Sequence, residues 1–142
     1  MLHYPKTRRK YIKFNKKDAT KNQCAFCGDE NLEARLVEKT ETMLVIPNRV
    51  AYDIFENRRV LDHLMILPSR HVELVSDFTD QEKKELIDLI GEYEALGYSI
   101  YARGFGSISR SVKHQHTHLI KLDNTLPKLS VYIRKPYILF HK

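Results

Sequence analysis

Residues 113–121 read KHQHTHLIK and place His114, His116 and His118 at every second position. Successive side chains on a β-strand point to opposite faces, so this spacing predicts three imidazoles on one side, neighbours about 7 Å apart. Gln115 and Thr117 then face the other way, together with Leu119. The chain has seven histidines in 142 residues. Shuffling that composition produces a His-x-His-x-His run in roughly two chains of a hundred, so chance is disfavoured. A metal site is a competing reading, because two strand histidines two residues apart can share a zinc ion. The His-x-His-x-Asp-His form of dinuclear hydrolases is absent, however, and Asp123 falls five residues after His118, on the opposite face.

The segment just before the row favours phosphate chemistry. Gly104-Phe105-Gly106-Ser107-Ile108-Ser109-Arg110-Ser111 offers flexible backbone amides, three hydroxyls and a guanidinium, and Lys113 follows. Amides and hydroxyls donate to phosphate oxygens, and arginine can engage two of them at once. A glycine–serine loop alone is usually only a loop. Joined to a histidine row, it gains a chemical meaning.

Further out, ARLVEK and TMLVIP read as short strands with Glu41 in the turn between them. AYDIFENRRVL is ambiguous, with ENRR reading as a loop, and HLMILP is a compact apolar strand closed by Pro68. Thr79-Asp80-Gln81-Glu82 matches a capping box, and Leu86, Leu89, Ile90, Tyr93 and Leu96 follow at helical spacing up to Gly97. YSIYARG, HQHTHLIKL, KLSVYIR and YILF read as later strands. Short strands around one long helix predict an α+β domain built on an antiparallel sheet.

The formal charge is +6, yet residues 1–22 alone carry +7, from eight Lys/Arg against Asp18. We therefore expect a basic N-terminal tail over 1–22, followed by a domain over 23–142. Tyr4, Tyr11 and Phe14 sit among those charges, so the tail could stack bases or pin itself to the body. Such a run suits weak polyanion contact, though most charge runs are simply solvated. Apolar runs stay well short of the ~20 residues a membrane span needs. The N-terminal charges precede no apolar core, so we expect no secretory signal. With two cysteines, both in Cys24-Ala25-Phe26-Cys27, the expected compartment is the reducing cytoplasm.

These segments resemble the histidine triad (HIT) superfamily of nucleotide hydrolases and transferases. His114-Gln115-His116-Thr117-His118-Leu119-Ile120 matches its His-x-His-x-His motif and the two apolar residues after it, with Ser111-Val112-Lys113 as the approach. Asp62-His63-Leu64-Met65-Ile66-Leu67-Pro68-Ser69-Arg70-His71 is similar to the family's GHxLVIPKxH segment, and DFTDQE follows it as a helix start. Cys24-Ala25-Phe26-Cys27 is similar to the C-x-F-C of many bacterial members. The likeness spans about residues 24–122 and leaves out the tail and a C-terminal extension, 123–142. The chain departs from the family pattern at Gln115 and Thr117 (usually apolar), at Ser109-Arg110 (usually Gly-Gln), at Arg103 (often Asn or Gln) and at Arg59-Val60-Leu61-Asp62 (usually an Asn-Pro-Gly approach).

The resemblance implies a HIT-like sheet of about five strands plus C-terminal extra strands, with one long helix and short helical turns. It implies a hydrolase acting at a nucleotide α-phosphate, on a phosphoramidate or a dinucleoside polyphosphate. His116 would be the nucleophile, forming a phosphohistidine–nucleotide intermediate. His118 would bond the phosphate and help protonate the leaving group, and Ser111 would donate to the phosphate or the leaving atom. His114 would orient His116 or ligate metal. Arg110, Lys113, Arg103 and Ser107 would bind substrate. A structural zinc ion would take Cys24, Cys27, His63 and His114, leaving His71 a supporting role and His3 and His141 none. A homodimer is implied by the same analogy. The alternatives are a nucleotidyltransferase or phosphorylase, disfavoured by a third histidine in place of glutamine, and a zinc-stabilised nucleic-acid-binding module.

Overall fold

The structure is a computed structural model. It describes residues 2–19, 24–125 and 127–142. In chain order the elements are α1 (Pro5–Ala19), β1 (Glu38–Lys39), β2 (Met43–Pro47), β3 (Ile54–Phe55), β4 (Arg58–Pro68), α2 (Asp80–Ala95), β5 (Tyr98–Ala102), β6 (Thr117–Leu122), β7 (Ser130–Ile133) and β8 (Ile138–His141). Five strands form an antiparallel sheet in the order β1-β2-β4-β6-β5, and β3 adds to it by pairing with β4. This is the expected α+β architecture.

The apolar runs of β2 and β4 are continuous because both faces of the central sheet are covered. Met43, Val45, Leu64, Ile66 and Leu119 face α2 and pack on Leu86, Leu89 and Tyr93. Leu44, Ile46, Met65 and Leu67 face the other way and pack with Phe26. Each fully buried side chain of this kind contributes about 1.5–3 kcal/mol. The capping box forms as read: Thr79 accepts from the Glu82 N–H, and the Glu82 carboxylate accepts from the Thr79 N–H. Gly97, at φ +84°, ends the helix in the left-handed region that glycine tolerates.

Alternation along the central strands sets up the site. His63 shares its face of β4 with Met65 and Leu67, and His118 shares its face of β6 with Ile120. The register pairs Met65 with His118 and His63 with Ile120, so His63 and His118 are diagonal neighbours on the face away from α2. Tyr101 of β5 pairs with His118 from the other side.

Three elements differ from expectation. Residues 5–19 of the basic stretch form a second long helix, α1, started by Pro5 at its first position. Its N-terminus is held from elsewhere: Asp53 accepts from the Tyr4 N–H at 2.8 Å and the Thr7 hydroxyl at 3.1 Å. Residues 20–23, which include Lys21, lie outside the described residues, as do the side chains of Lys16 and Lys17. ENRR is a tight hairpin rather than a loop, with Glu56 and Asn57 at φ 48° and 57°, so β4 starts five residues before HLMILP. The C-terminal strands β7 and β8 pair only with each other among the described residues. No helix among those residues is long and apolar enough to cross a membrane.

Candidate functional site

The triad splits into two groups. His116 and His118 lie with ring centroids 5.0 Å apart and both line one cavity with Asn48, Tyr52, Arg103 and Ser111. His114 turns toward the cysteines. Its Nδ1 lies 3.6 Å from Cys24 Sγ and 3.5 Å from Cys27 Sγ. Only His118 belongs to β6 proper; His114 sits at a bend and His116 in irregular backbone just before the strand.

Hydrogen bonds fix which ring nitrogens carry protons. His116 Nδ1 is 2.8 Å from the His114 carbonyl, which can only accept, so Nδ1 donates and the lone pair of the neutral ring falls on Nε2. His63 Nδ1 accepts from the Tyr52 N–H at 3.1 Å. Neutral His63 therefore carries its proton on Nε2, which lies 2.9 Å from His118 Nδ1 and donates to it. Asn48 Nδ2 also approaches His63 Nε2, at 3.2 Å, but its amide oxygen accepts from the Val50 N–H, so the nitrogen stays a donor and this is only a packing contact. His118 is left with its proton on Nε2, a buried atom with no protein partner.

Burial holds all four rings neutral. It lowers the pKa of His63 and His114 to about 4 and that of His118 to about 2, and it also lowers that of His116. Neighbouring Arg103 adds to the effect at His63, His116 and His118. The cavity thus presents one imidazole lone pair and one N–H donor side by side.

A cluster of metal-type donors stands next to it. One donor atom each from Cys24, Cys27, His71 and His114 falls within 4.8 Å of the others. His71 Nδ1 is 3.5 Å from Cys27 Sγ. Around a tetrahedral zinc ion, with Zn–S ≈ 2.3 Å and Zn–N ≈ 2.0–2.1 Å, sulfur and nitrogen ligands stand about 3.5 Å apart, so the donor set fits. His114 Nε2 donates to the Pro68 carbonyl at 3.0 Å, which leaves the Nδ1 lone pair aimed at the thiols. Phe26, buried between the cysteines in sequence, anchors their turn against the sheet. On the opposite side, the Arg70–Glu82 pair, 2.7 Å at both contacts, ties the segment carrying His71 to α2.

His71, not His63, is therefore the fourth member of this cluster. His114 bonds Pro68, and His63 lies five residues upstream on the same extended strand, roughly 16 Å away by strand rise. Three further expectations also change. Arg110 donates to the carbonyls of Glu73, Val112 and Lys113, so it clamps the loop rather than facing the cavity. Lys113 is exposed and Ser107 bonds Ser109; neither lines the cavity, whereas Ser109 does. Arg103 stays at the cavity and donates to the Tyr52 hydroxyl at 2.7 Å.

Several lining residues escaped the sequence reading: Tyr11 and Phe14 of α1, Phe26, and Asn48, Arg49 and Tyr52 after β2. Tyr11 and Phe14 stood out only as aromatics among charges. For Asn48 and Tyr52 the one signal was polarity just after an apolar strand, and it carried no chemistry.

Fold and ring arrangement together define the class: the chain has the histidine triad fold. A HIT family hydrolase from Clostridium thermocellum superposes with a TM-score of 0.51 at 22% identity, covering 78% of this chain and 99% of that one. A histidine triad protein from Clostridium difficile gives 0.50 at 18% identity, over 77% and 97%. No family model matches the sequence, and no curated protein matches it significantly.

Proposed function

We propose that the protein hydrolyses a nucleotide at its α-phosphate through His116. The observation that carries this reading is the His116 Nδ1 bond to the His114 carbonyl, which leaves a neutral Nε2 lone pair on a ring that lines the cavity. Nε2 forms a bond to the α-phosphorus while the bond from phosphorus to the leaving oxygen or nitrogen breaks; the leaving group keeps that electron pair, and a phosphoramidate nitrogen, protonated on the substrate before attack, departs as the neutral amine. Water then displaces the imidazole and releases the nucleoside monophosphate, so one hard displacement becomes two easier ones.

His118 acts as a neutral donor. Its Nε2–H meets a phosphate oxygen or the leaving atom, and a positioned donor of this kind in a buried site stabilises developing charge without reorganising. Its low pKa argues against an imidazolium acid. Ser109 and Ser111 hydroxyls and the Arg103 guanidinium line the same cavity and bind the remaining oxygens. Cys24, Cys27, His71 and His114 would hold a structural zinc ion, which when bound ties the CAFC turn to the start of the histidine row. A homodimer joined through the β5 edge of the sheet, and polyanion contact through the exposed cations of α1, are separate parts of the proposal.

The test is turnover of a labelled panel of adenosine phosphoramidates and dinucleoside polyphosphates by the wild type and by His116→Ala. The reading expects hydrolysis by the wild type and a loss of at least about 10³-fold in the variant, at unchanged circular dichroism. An unchanged rate contradicts it.

A further inference from the structure

A second cavity, of about 260 Å³, opens between α1 and the β7–β8 hairpin. Both segments lie outside residues 24–122, which carry the sequence resemblance. Tyr11, Tyr52 and Arg103 line this cavity and the catalytic one alike, so the two share a wall. The remaining lining includes Arg8, Tyr132 and Tyr137. The Arg8 guanidinium already lies over the Tyr137 ring, 4.4 Å from its centroid.

The catalytic row meets that wall at its His118 end, where Tyr52 lies against the ring. Phe26, His116, His118 and Tyr52 follow one another with ring centroids 5.4, 5.0 and 5.6 Å apart. The His118 donor therefore stands between the nucleophile and the shared wall. A leaving group that departs on the His118 side of His116 would meet this shared wall of Tyr11, Tyr52 and Arg103.

We propose that this cavity is a leaving-group subsite that takes an aromatic ring carried on phosphate, namely the second nucleoside phosphate of a dinucleoside polyphosphate. The assignment rests on the α-phosphate chemistry proposed at His116. Four tyrosines, Tyr11, Tyr52, Tyr132 and Tyr137, offer faces and edges for a planar ring, and Arg8 and Arg103 supply positive charge for the phosphates between the two nucleosides. The volume admits the planar ring: roughly 150 Å³ of cavity suffices for benzene, and this one is larger. A phosphoramidate of a small amine would leave the subsite unfilled.

The experiment compares kcat/KM for a dinucleoside triphosphate and for a nucleoside phosphoramidate of a small amine, in the wild type, Arg8→Ala and Tyr132→Ala. Neither residue belongs to the catalytic row. The subsite predicts a loss of about tenfold or more with the dinucleotide and a change under about twofold with the phosphoramidate. Equal losses on both substrates, or no loss on the dinucleotide, overturn it. A wild type that hydrolyses only the phosphoramidate overturns the subsite and leaves the His116 reading standing. Calorimetry with a methylene-bridged dinucleotide gives a readout independent of turnover. It should bind at least about tenfold tighter than the mononucleotide, an advantage lost in both variants; binding no tighter overturns the subsite even if turnover fails for other reasons.

Discussion

His63 Nε2 lies 2.9 Å from His118 Nδ1, and the Tyr52 amide on the far side of the His63 ring decides which of the two is protonated. The chain of donors runs from backbone to His63, from His63 to His118, and from His118 into the cavity. The proposed function thus makes His63 a positioning residue. His63→Ala should lower kcat by about 10–100-fold, and His63→Gln, which can still donate, should recover part of it. Nitrogen-15 spectra of the histidines provide the decisive readout: His118 should be the Nε2–H tautomer in the wild type and a mixture in His63→Ala. An unchanged tautomer there would contradict the relay.

The metal cluster makes a separate, discriminating prediction. Zinc content by elemental analysis should be about one per chain in the wild type and in His63→Ala, and should fall to near zero in Cys27→Ser and His71→Ala. Loss of the ion should lower Tm by about 10 °C or more, because binding energy at a structural site is folding energy. Zinc lost with His63 and kept without His71 would reverse the ligand assignment.

Glu85 ties α2 to the turn before β2 and sets an acid limit on stability. Burial pushes its pKa up, but bonds from the Thr40 hydroxyl, the Thr42 amide and hydroxyl, and Gln81 outweigh burial and bring it down to about 2. The folded value is below the unfolded one, so the unfolded chain binds more protons between about pH 4.5 and 2, and stability must fall with pH across that window. Glu85→Gln should therefore be less stable than the wild type at pH 7, with the gap closing as pH approaches 2. Urea denaturation at several pH values measures it, and a gap independent of pH would refute this account of Glu85.

Signals confined to a few consecutive residues were the legible ones. The His-x-His-x-His spacing, the Thr79–Glu82 capping box and the apolar runs of β2 and β4 each state their physics locally. What stayed hidden depends on partners far along the chain. The cap of α1 comes from Asp53, so the basic stretch read as a tail. The Glu56–Asn57 hairpin uses the left-handed region without glycine, which removes the usual turn signal. His63 and His71 both flank the apolar run of β4, and only the folded contacts, His71 with Cys27 and His114 with Pro68, show which of them the thiols can reach. Arg110 looked like a phosphate ligand until the carbonyls around it were in view.

The most direct test of the central claim is to mix the protein with a nucleoside phosphoramidate or dinucleoside polyphosphate, quench within milliseconds at alkaline pH, and weigh the intact chain and its peptides. Turnover through His116 should give a mass increase equal to one nucleoside monophosphate less water, acid-labile and confined to the peptide bearing His116, and absent from His116→Ala. Rapid hydrolysis with no adduct at any time, or an adduct on another residue, would contradict it.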